Sequence, residues 1–239
     1  MKKIERIIKS IIEKSGGSPH KIKLAHYMER INHAFAFAPR NYWLGVTVMK
    51  SPMDLAVLQQ IIFDKKPDTI IECGTAYGGS AYYMASIMDV VGIDGKVITI
   101  DSESDQTAIY RRKDLINVNG KAVCLDVEEL RKPRSSKIEY VHSDCLTASL
   151  PMDTGKTMVV LDCHHSASHV YKELEKYSKL VTIGQYLIVE DTDGKIHSGT
   201  GPAAAVKKFL KKNKNFVVDK NREMYGISSN LGGYLFRIS

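Results

Sequence analysis

The sequence predicts an α/β fold: a largely parallel sheet with helices on both faces. Three observations predict it. Beyond Lys66, short apolar runs alternate with helical patterns at regular spacing. One run, Thr69-Ile70-Ile71, feeds an acidic residue and a glycine-rich turn, Glu72-Cys73-Gly74-Thr75-Ala76-Tyr77-Gly78-Gly79-Ser80, which opens a helix. Two later apolar runs end in carboxylates, at Asp162 and at Glu190-Asp191.

The elements follow in order. Ile4, Ile7, Ile8, Ile11 and Ile12 form an i, i+3, i+4, i+7, i+8 stripe, so residues 1–15 read as an amphipathic helix. Such a stripe suits packing on the domain or on a second subunit. Ser15-Gly16-Gly17-Ser18-Pro19 breaks it. Residues 20–50 look irregular to helical and hold the one tryptophan, Trp43. Ser51-Pro52-Met53-Asp54 then starts a helix: an N-cap serine, proline at the first position, and an acid in the first turn. It runs to about Phe63. We therefore divide the chain into an N-terminal helical extension, 1–50, and a main domain, 51–239.

In the main domain the strand-like runs are 69–73, 96–101, 138–142, 157–162, 185–190, 215–218 and 233–237. Helical patterns cover 79–90, about 105–117, 167–179 and 202–212. The turn Asn230-Leu231-Gly232-Gly233 suggests that the last two runs form an antiparallel hairpin at one edge. Ligands of such sheets bind at the carboxyl ends of the strands. Those ends carry the loop 72–80, Asp101, Ser143-Asp144-Cys145, Asp162-Cys163-His164-His165 and Glu190-Asp191-Thr192.

Composition narrows the class. The 239 residues are 44% hydrophobic and 26% charged, ordinary for a globular protein. No apolar run approaches the roughly 20 residues that span a bilayer, and the charged start Met1-Lys2-Lys3-Ile4-Glu5-Arg6 lacks the apolar core of a signal peptide. A cytoplasmic location is the default. Net charge is +7, but the lysines cluster at the two ends with little aromatic interleaving, which argues against nucleic acid as partner. The four cysteines form no CxxC pair, so neither a zinc ribbon nor a thioredoxin site is indicated. Three fall at predicted strand ends and read as small buried residues beside the site.

Three constellations carry chemistry. In the glycine loop, Glu72, Gly74, Gly78 and Ser80 make an ExGxxxGxS pattern. A dinucleotide fingerprint needs GxGxxG, and Ala76 stands where its central glycine would be. The loop thus fits a nucleoside without a pyrophosphate, such as S-adenosylmethionine, with Thr75 in the turn and Asp101 on the ribose. In the second, Asp162, Glu190 and Asp191 converge if their strands are neighbours. Their mutual repulsion would favour a hard divalent cation such as Mg²⁺, although helix and turn capping by these acids is an alternative. In the third, a histidine soon after the Asp162 strand end is placed to act as general base, since imidazole titrates near neutrality. His165 and His169 have the i, i+4 spacing that can bind zinc, but there is no HExxH and no matching cysteine pair. A GxSxG elbow is lacking, which sets aside a Ser-His-Asp hydrolase.

These residues lie in a longer ordered pattern. It includes Trp43-Leu44-Gly45, Lys50-Ser51-Pro52-Met53-Asp54 with Gln59, Ile71-Glu72-Cys73-Gly74-Thr75 with Gly78-Gly79-Ser80-Ala81, and Ile98-Thr99-Ile100-Asp101. It continues through Leu161-Asp162, His165, His169-Val170, Glu173-Leu174 and Tyr177. It closes with Tyr186-Leu187-Ile188-Val189-Glu190-Asp191-Thr192, Gly201-Pro202, Phe209-Leu210 and Gly232-Gly233-Tyr234-Leu235. From about Tyr42 to Arg237 the chain resembles the cephalosporin hydroxylase family, a branch of class I S-adenosylmethionine methyltransferases that also holds rhamnosyl O-methyltransferases. The resemblance implies a Rossmann-like, seven-stranded, mostly parallel sheet with an antiparallel last strand, and S-adenosylmethionine as cofactor. It implies Mg²⁺ on Asp162, Glu190 and Asp191, with Asp162 also beside the donor, and His165 as the catalytic histidine. Ser143 and Asp144 fall where adenine contacts are expected, although Asp144-Cys145 departs from the small-residue pattern there. The charged stretch 104–136 is unmatched and could shape a substrate lid. No 2-His-1-carboxylate iron spacing supports a hydroxylase activity.

The leading expectation is a Mg²⁺-dependent O-methyltransferase acting on a hydroxyl of a sugar or a small hydroxylated metabolite. An NAD-dependent oxidoreductase and a non-catalytic methyltransferase-like binding module are the competing readings.

Overall fold

The computed structural model describes residues 41–102, 115–118, 121–124, 135–151, 155–193, 201–226 and 228–239. The expected N-terminal Ile-stripe helix lies outside the described residues. Strand β1 (Tyr42–Trp43) and β2 (Val46–Thr47) form a small antiparallel pair. Then come α1 (Pro52–Lys65), β3 (Thr69–Cys73), α2 (Gly79–Val91), β4 (Lys96–Asp101), β5 (Leu115–Val118) and β6 (Lys121–Cys124). They are followed by β7 (Ile138–His142), β8 (Thr157–Leu161), α3 (Ala167–Tyr177), β9 (Tyr186–Val189), α4 (Pro202–Lys212), β10 (Phe216–Val218) and β11 (Tyr234–Arg237).

Seven strands form the central sheet in the order β10-β11-β9-β8-β3-β4-β7. β3, β4, β7, β8 and β9 pair parallel to one another, and β11 runs antiparallel to both its neighbours. The central strands are apolar throughout because both faces are covered. Side chains alternate between two cores. Ile70, Val97 and Val160 join the core under α1 and α2. Ile71, Ile98 and Val159 join the core under α3 and α4. Each such side chain is fully buried, which stabilises by about 1.5–3 kcal/mol.

Local signals set the helix ends. Ser51 caps α1: its hydroxyl oxygen accepts from the Asp54 N–H at 3.1 Å, and Pro52 occupies the first turn. Gly92, at φ +71°, ends α2 in the left-handed conformation.

Two sequence expectations change. The helical pattern at about 105–117 does not extend through residues 115–117, which are strand. β5 pairs antiparallel with β6, Val118 opposite Lys121. The Asn119-Gly120 pair between them is the sequence signal for a two-residue hairpin, and it outweighs a weak helical period. The last two runs do pair antiparallel, but only β10 is at the edge, because β11 inserts between it and β9. A 3₁₀ turn, Lys220–Glu223, intervenes, so the turn at 230–233 leads into β11 alone. Residues 41–50 pack on the main body. The Trp43 indole donates to Ser86 Oγ at 2.6 Å and meets Tyr83 edge-on at 4.7 Å.

Candidate active site

The carboxyl ends of β3, β4, β8 and β9 open into one pocket of about 410 Å³. Its walls include Gly74, Ala76, Asp101, Asp144, Asp162, His165, Glu190 and Asp191. The volume lies within the usual range for small-ligand sites.

The glycine loop is shaped by close approach. Gly74 has φ +98°, and a Cβ there would stand 2.2 Å from the Asp162 carbonyl oxygen. The Gly79 Cβ would stand 2.0 Å from the Thr47 carbonyl oxygen. Neither position admits a side chain, so the loop wedges between β2 and the end of β8. Asp101 holds the turn from the next strand: its Oδ2 accepts from the Thr75 and Ala76 amides at 3.0 and 3.1 Å. Thr75 and Thr99 hydroxyls meet at 2.8 Å. Gly78 caps α2 without a side-chain hydrogen bond, and Ser80 is buried in the first turn. The helix N-terminus thus faces the loop with no capping side chain from Gly78.

Glu72 sits below this loop rather than on the pocket wall. It is fully buried and accepts from the Thr99 hydroxyl at 2.7 Å. Burial raises its pKa, against the pull of Lys50 and of hydrogen bonds from Ser80 and Thr99. Asp144 lines the pocket, and its Oδ1 accepts from the Leu146 amide at 2.7 Å. Ser143 is more peripheral; its hydroxyl donates to the Asp144 carbonyl at 3.2 Å.

The parallel register brings Asp162 beside Glu190 and Asp191. Lys50 stands among them. Its ammonium lies 2.9 Å from Asp162 Oδ2 and 2.6 Å from Glu190 Oε1, and its side chain is only 2% exposed. Burial alone would lower the Lys50 pKa; Asp162, Glu190 and Glu72 reverse that and hold it well above the usual lysine value. Sequence reasoning assigned Lys50 no role. The only local signal was a lysine directly before the α1 cap.

Asp162, Asp191 and His165 form the open part of the cluster: one ligand atom from each lies within 4.8 Å of the others. His165 Nδ1 is 3.3 Å from Asp191 Oδ2. Asp191 holds φ +55°, a conformation that L-residues adopt at a cost and that concentrates at functional sites. Its amide donates to Asn230 Oδ1 at 3.3 Å. Of the expected metal set, Glu190 is therefore turned to Lys50, while His165 joins the two aspartates.

A second missed residue supports the rim. Asp54, expected only as a first-turn acid, is buried and accepts from the Ser51, Ser228 and Tyr234 hydroxyls and from the Ser229 amide. It ties the start of α1 to the segment before β11.

The family model for rhamnosyl O-methyltransferase/CmcI matches residues 36–238. The chain belongs to this family. Among its relatives is the rhamnosyl O-methyltransferase of Mycobacterium leprae (strain TN), 29% identical over 203 residues, with 82% of each chain covered. That of Mycobacterium tuberculosis (strain ATCC 25618 / H37Rv) is 30% identical over 204 residues, covering 82% of this chain and 77% of the relative. Among solved structures, cmcI with SAH superposes with a TM-score of 0.58 at 19% identity, over 87% of this chain and 91% of that one. The cmcI structure with Mg and SAM gives 0.57 at 22% identity, over 87% and 84%. These likenesses show that the rhamnosyl O-methyltransferase/CmcI family fold, with its reversed last strand, is the fold of this chain.

Proposed function

We propose that this protein is an S-adenosylmethionine-dependent O-methyltransferase, assisted by Mg²⁺, that methylates a hydroxyl of a sugar. The observation that carries this reading is the single pocket joining the glycine loop and Asp101 to Asp162, His165 and Asp191. One half suits a nucleoside donor and the other an oxygen acceptor.

On the donor side, the α2 N-terminus and the loop amides take the amino-acid end. Asp101 takes ribose hydroxyls while it keeps the turn fixed, and Asp144 lies toward the base. Glu72 stiffens the loop from beneath.

The acceptor side fits a divalent cation by charge. The Lys50 ammonium contacts Asp162 and Glu190 and feels Glu72, while Asp191 adds its charge beside Glu190, so one ammonium faces more carboxylates than it can neutralise. Asp162 and Asp191 would hold the ion, Glu190 would contribute through Lys50 or in its place, and His165 would stay off the ion, beside them, as the base. A bound cation would supply Lewis-acid acidification of the attacked hydroxyl. His165 takes the hydroxyl proton as the acceptor oxygen bonds the methyl carbon and the donor sulfur leaves with the bonding pair. The rigid strand ends align the two reactants, and this positioning is the main catalytic contribution.

The rhamnosyl O-methyltransferase relatives support a sugar acceptor. Calorimetry with S-adenosylhomocysteine should show saturable one-site binding, and methyl transfer to rhamnosyl glycosides should fall on chelation and recover with Mg²⁺. Absence of S-adenosylhomocysteine binding would sink the reading; transfer indifferent to chelator would remove the metal from it.

A further inference from the structure

Running inward from the pocket wall is a second cluster that the proposed chemistry does not use. Cys73 ends β3, Cys145 follows β7, and Cys163 follows β8, so the parallel register brings three thiols from distant sequence positions together. The Cys73 and Cys145 sulfurs and a Glu173 oxygen lie within 4.8 Å of one another, as do the Cys163 sulfur, a His169 nitrogen and a Glu173 oxygen. From α3, His169 and Glu173 reach the same place, one turn apart.

Glu173 is the decisive residue. It is 0% exposed, and neither carboxylate oxygen has a hydrogen-bond partner among the described residues. The Nε2 of His169, 4.0 Å from Glu173 Oε1, also lacks a hydrogen-bond partner among them. A buried carboxyl without a partner costs several kcal/mol in either protonation state. Burial, with the charges of Asp162 and Asp144, holds the Glu173 pKa up to about 8. Burial also lowers the His169 pKa. The donors form two overlapping sets, Cys163-His169-Glu173 and Cys73-Cys145-Glu173, each with one atom per residue within 4.8 Å of the others.

The geometry points to a thiolate-bearing metal site, with Cys163, His169 and Glu173 as ligands to a borderline-soft divalent cation of the Zn²⁺ type, and with Cys73 and Cys145 beside Glu173. One sulfur, one imidazole and one carboxylate are ligands that Zn²⁺ takes in tetrahedral sites with a fourth position left open, whereas Mg²⁺ avoids thiolate. Bond lengths of 2.0–2.3 Å put tetrahedral ligand atoms about 3.3–3.8 Å apart, so side-chain shifts of about an ångström close the set. The frame is already fixed. Lys176 donates to the Cys145, Leu146 and Ala148 carbonyls, and the Tyr177 hydroxyl donates to the Cys145 carbonyl at 2.6 Å. These bonds bind the segment after β7 to α3. Entry is open, because Cys163 is exposed and lies with His169 on the pocket wall. The site is distinct in chemistry from the oxygen-rich Asp162-Asp191 cluster, so the two select different ions. Bound metal would lock the pocket wall beside Asp144 and His165.

Co²⁺ reports such a site directly. The metal-stripped full-length protein, titrated with Co²⁺ in excess Mg²⁺, should develop a near-ultraviolet thiolate-to-cobalt band that saturates at one equivalent and is abolished by Zn²⁺. Cys163→Ser and Glu173→Gln should each weaken Co²⁺ binding by more than the roughly 10–100-fold typical of outer-sphere partners, with far-ultraviolet circular dichroism unchanged. On the unaltered protein, Zn²⁺ and not Mg²⁺ should protect the Cys163 peptide from alkylation. No thiolate band, a band untouched by both substitutions, or alkylation indifferent to Zn²⁺ would overturn the site. S-adenosylhomocysteine binding measured on the same samples separates this failure from that of the methyltransferase reading.

Discussion

The Lys50 ammonium lies 2.9 Å from the Asp162 carboxylate across 112 residues of sequence. It also holds Glu190 at 2.6 Å. One buried cation thus fastens the segment before α1 to the ends of β8 and β9. Lys50→Met leaves the two carboxylates facing each other without a partner. Breaking such a buried pair costs about 3–5 kcal/mol. The urea midpoint should fall accordingly and recover in part with Mg²⁺; an unchanged midpoint would show that the pair is not formed in solution.

His165 and Asp191 face each other at 3.3 Å on the open side of the cluster. His165→Ala should lower kcat by about 10²–10⁴-fold, the range of a lost general base, and leave S-adenosylhomocysteine affinity near wild type. Equal losses in kcat and donor affinity would mean that His165 shapes the donor site instead.

Asp101 carries two tasks, since its Oδ2 accepts two loop amides and its carboxylate lines the pocket. Asp101→Ala should weaken S-adenosylhomocysteine binding by about 10–100-fold, as expected from losing charge-assisted hydrogen bonds of about 1.5–3 kcal/mol. Calorimetry checks it. Affinity within twofold of wild type would remove Asp101 from the donor site.

The glycines separate close approach from mere turn formation. Gly74→Ala drives a methyl into the Asp162 carbonyl and should prevent soluble folding or cost more than about 3 kcal/mol. Gly92→Ala meets no atom within 4 Å, and its φ of +71° should cost only about 1–2 kcal/mol. Thermal unfolding of the pair tests the contrast.

Tyr83 donates to the Leu55 carbonyl at 2.7 Å, and burial pushes its pKa up to about 12 from 10.0. The folded state therefore keeps a proton that the unfolded chain loses above pH 10. That contribution is fully present below pH 10 and drains away as pH rises to about 12, by at most about 3 kcal/mol. Tyr83→Phe should be less stable at neutral pH yet lose less stability between pH 10 and 12. Parallel urea midpoints for the two proteins would contradict the assignment.

Much of the frame was legible because its signals are local. The apolar runs at 69–73, 96–101 and 138–142 coincide with β3, β4 and β7, and the pattern at 202–212 coincides with α4. Each is bounded by turn or capping residues, so neighbours alone decide where it starts and stops. Residues 115–117, at the end of the helical pattern, are strand because a short apolar run carries either period and the Asn-Gly pair after it favours a hairpin. The strand-end acids were legible as candidates because an apolar run that stops at a carboxylate marks the sheet's ligand edge.

By itself, then, the sequence determined the alternating α/β frame, the glycine loop and which acids stand at the strand ends, since periodicity and turn chemistry act over a few residues. Only the tertiary structure decided what those acids face. Strand order and register place Lys50 between Asp162 and Glu190, Asp54 beneath Ser228 and Tyr234, and three cysteines without a pairing motif around Glu173. Electrostatic pairing and ligand geometry depend on distances of a few ångströms, and distances between residues remote in sequence exist only once the sheet has formed.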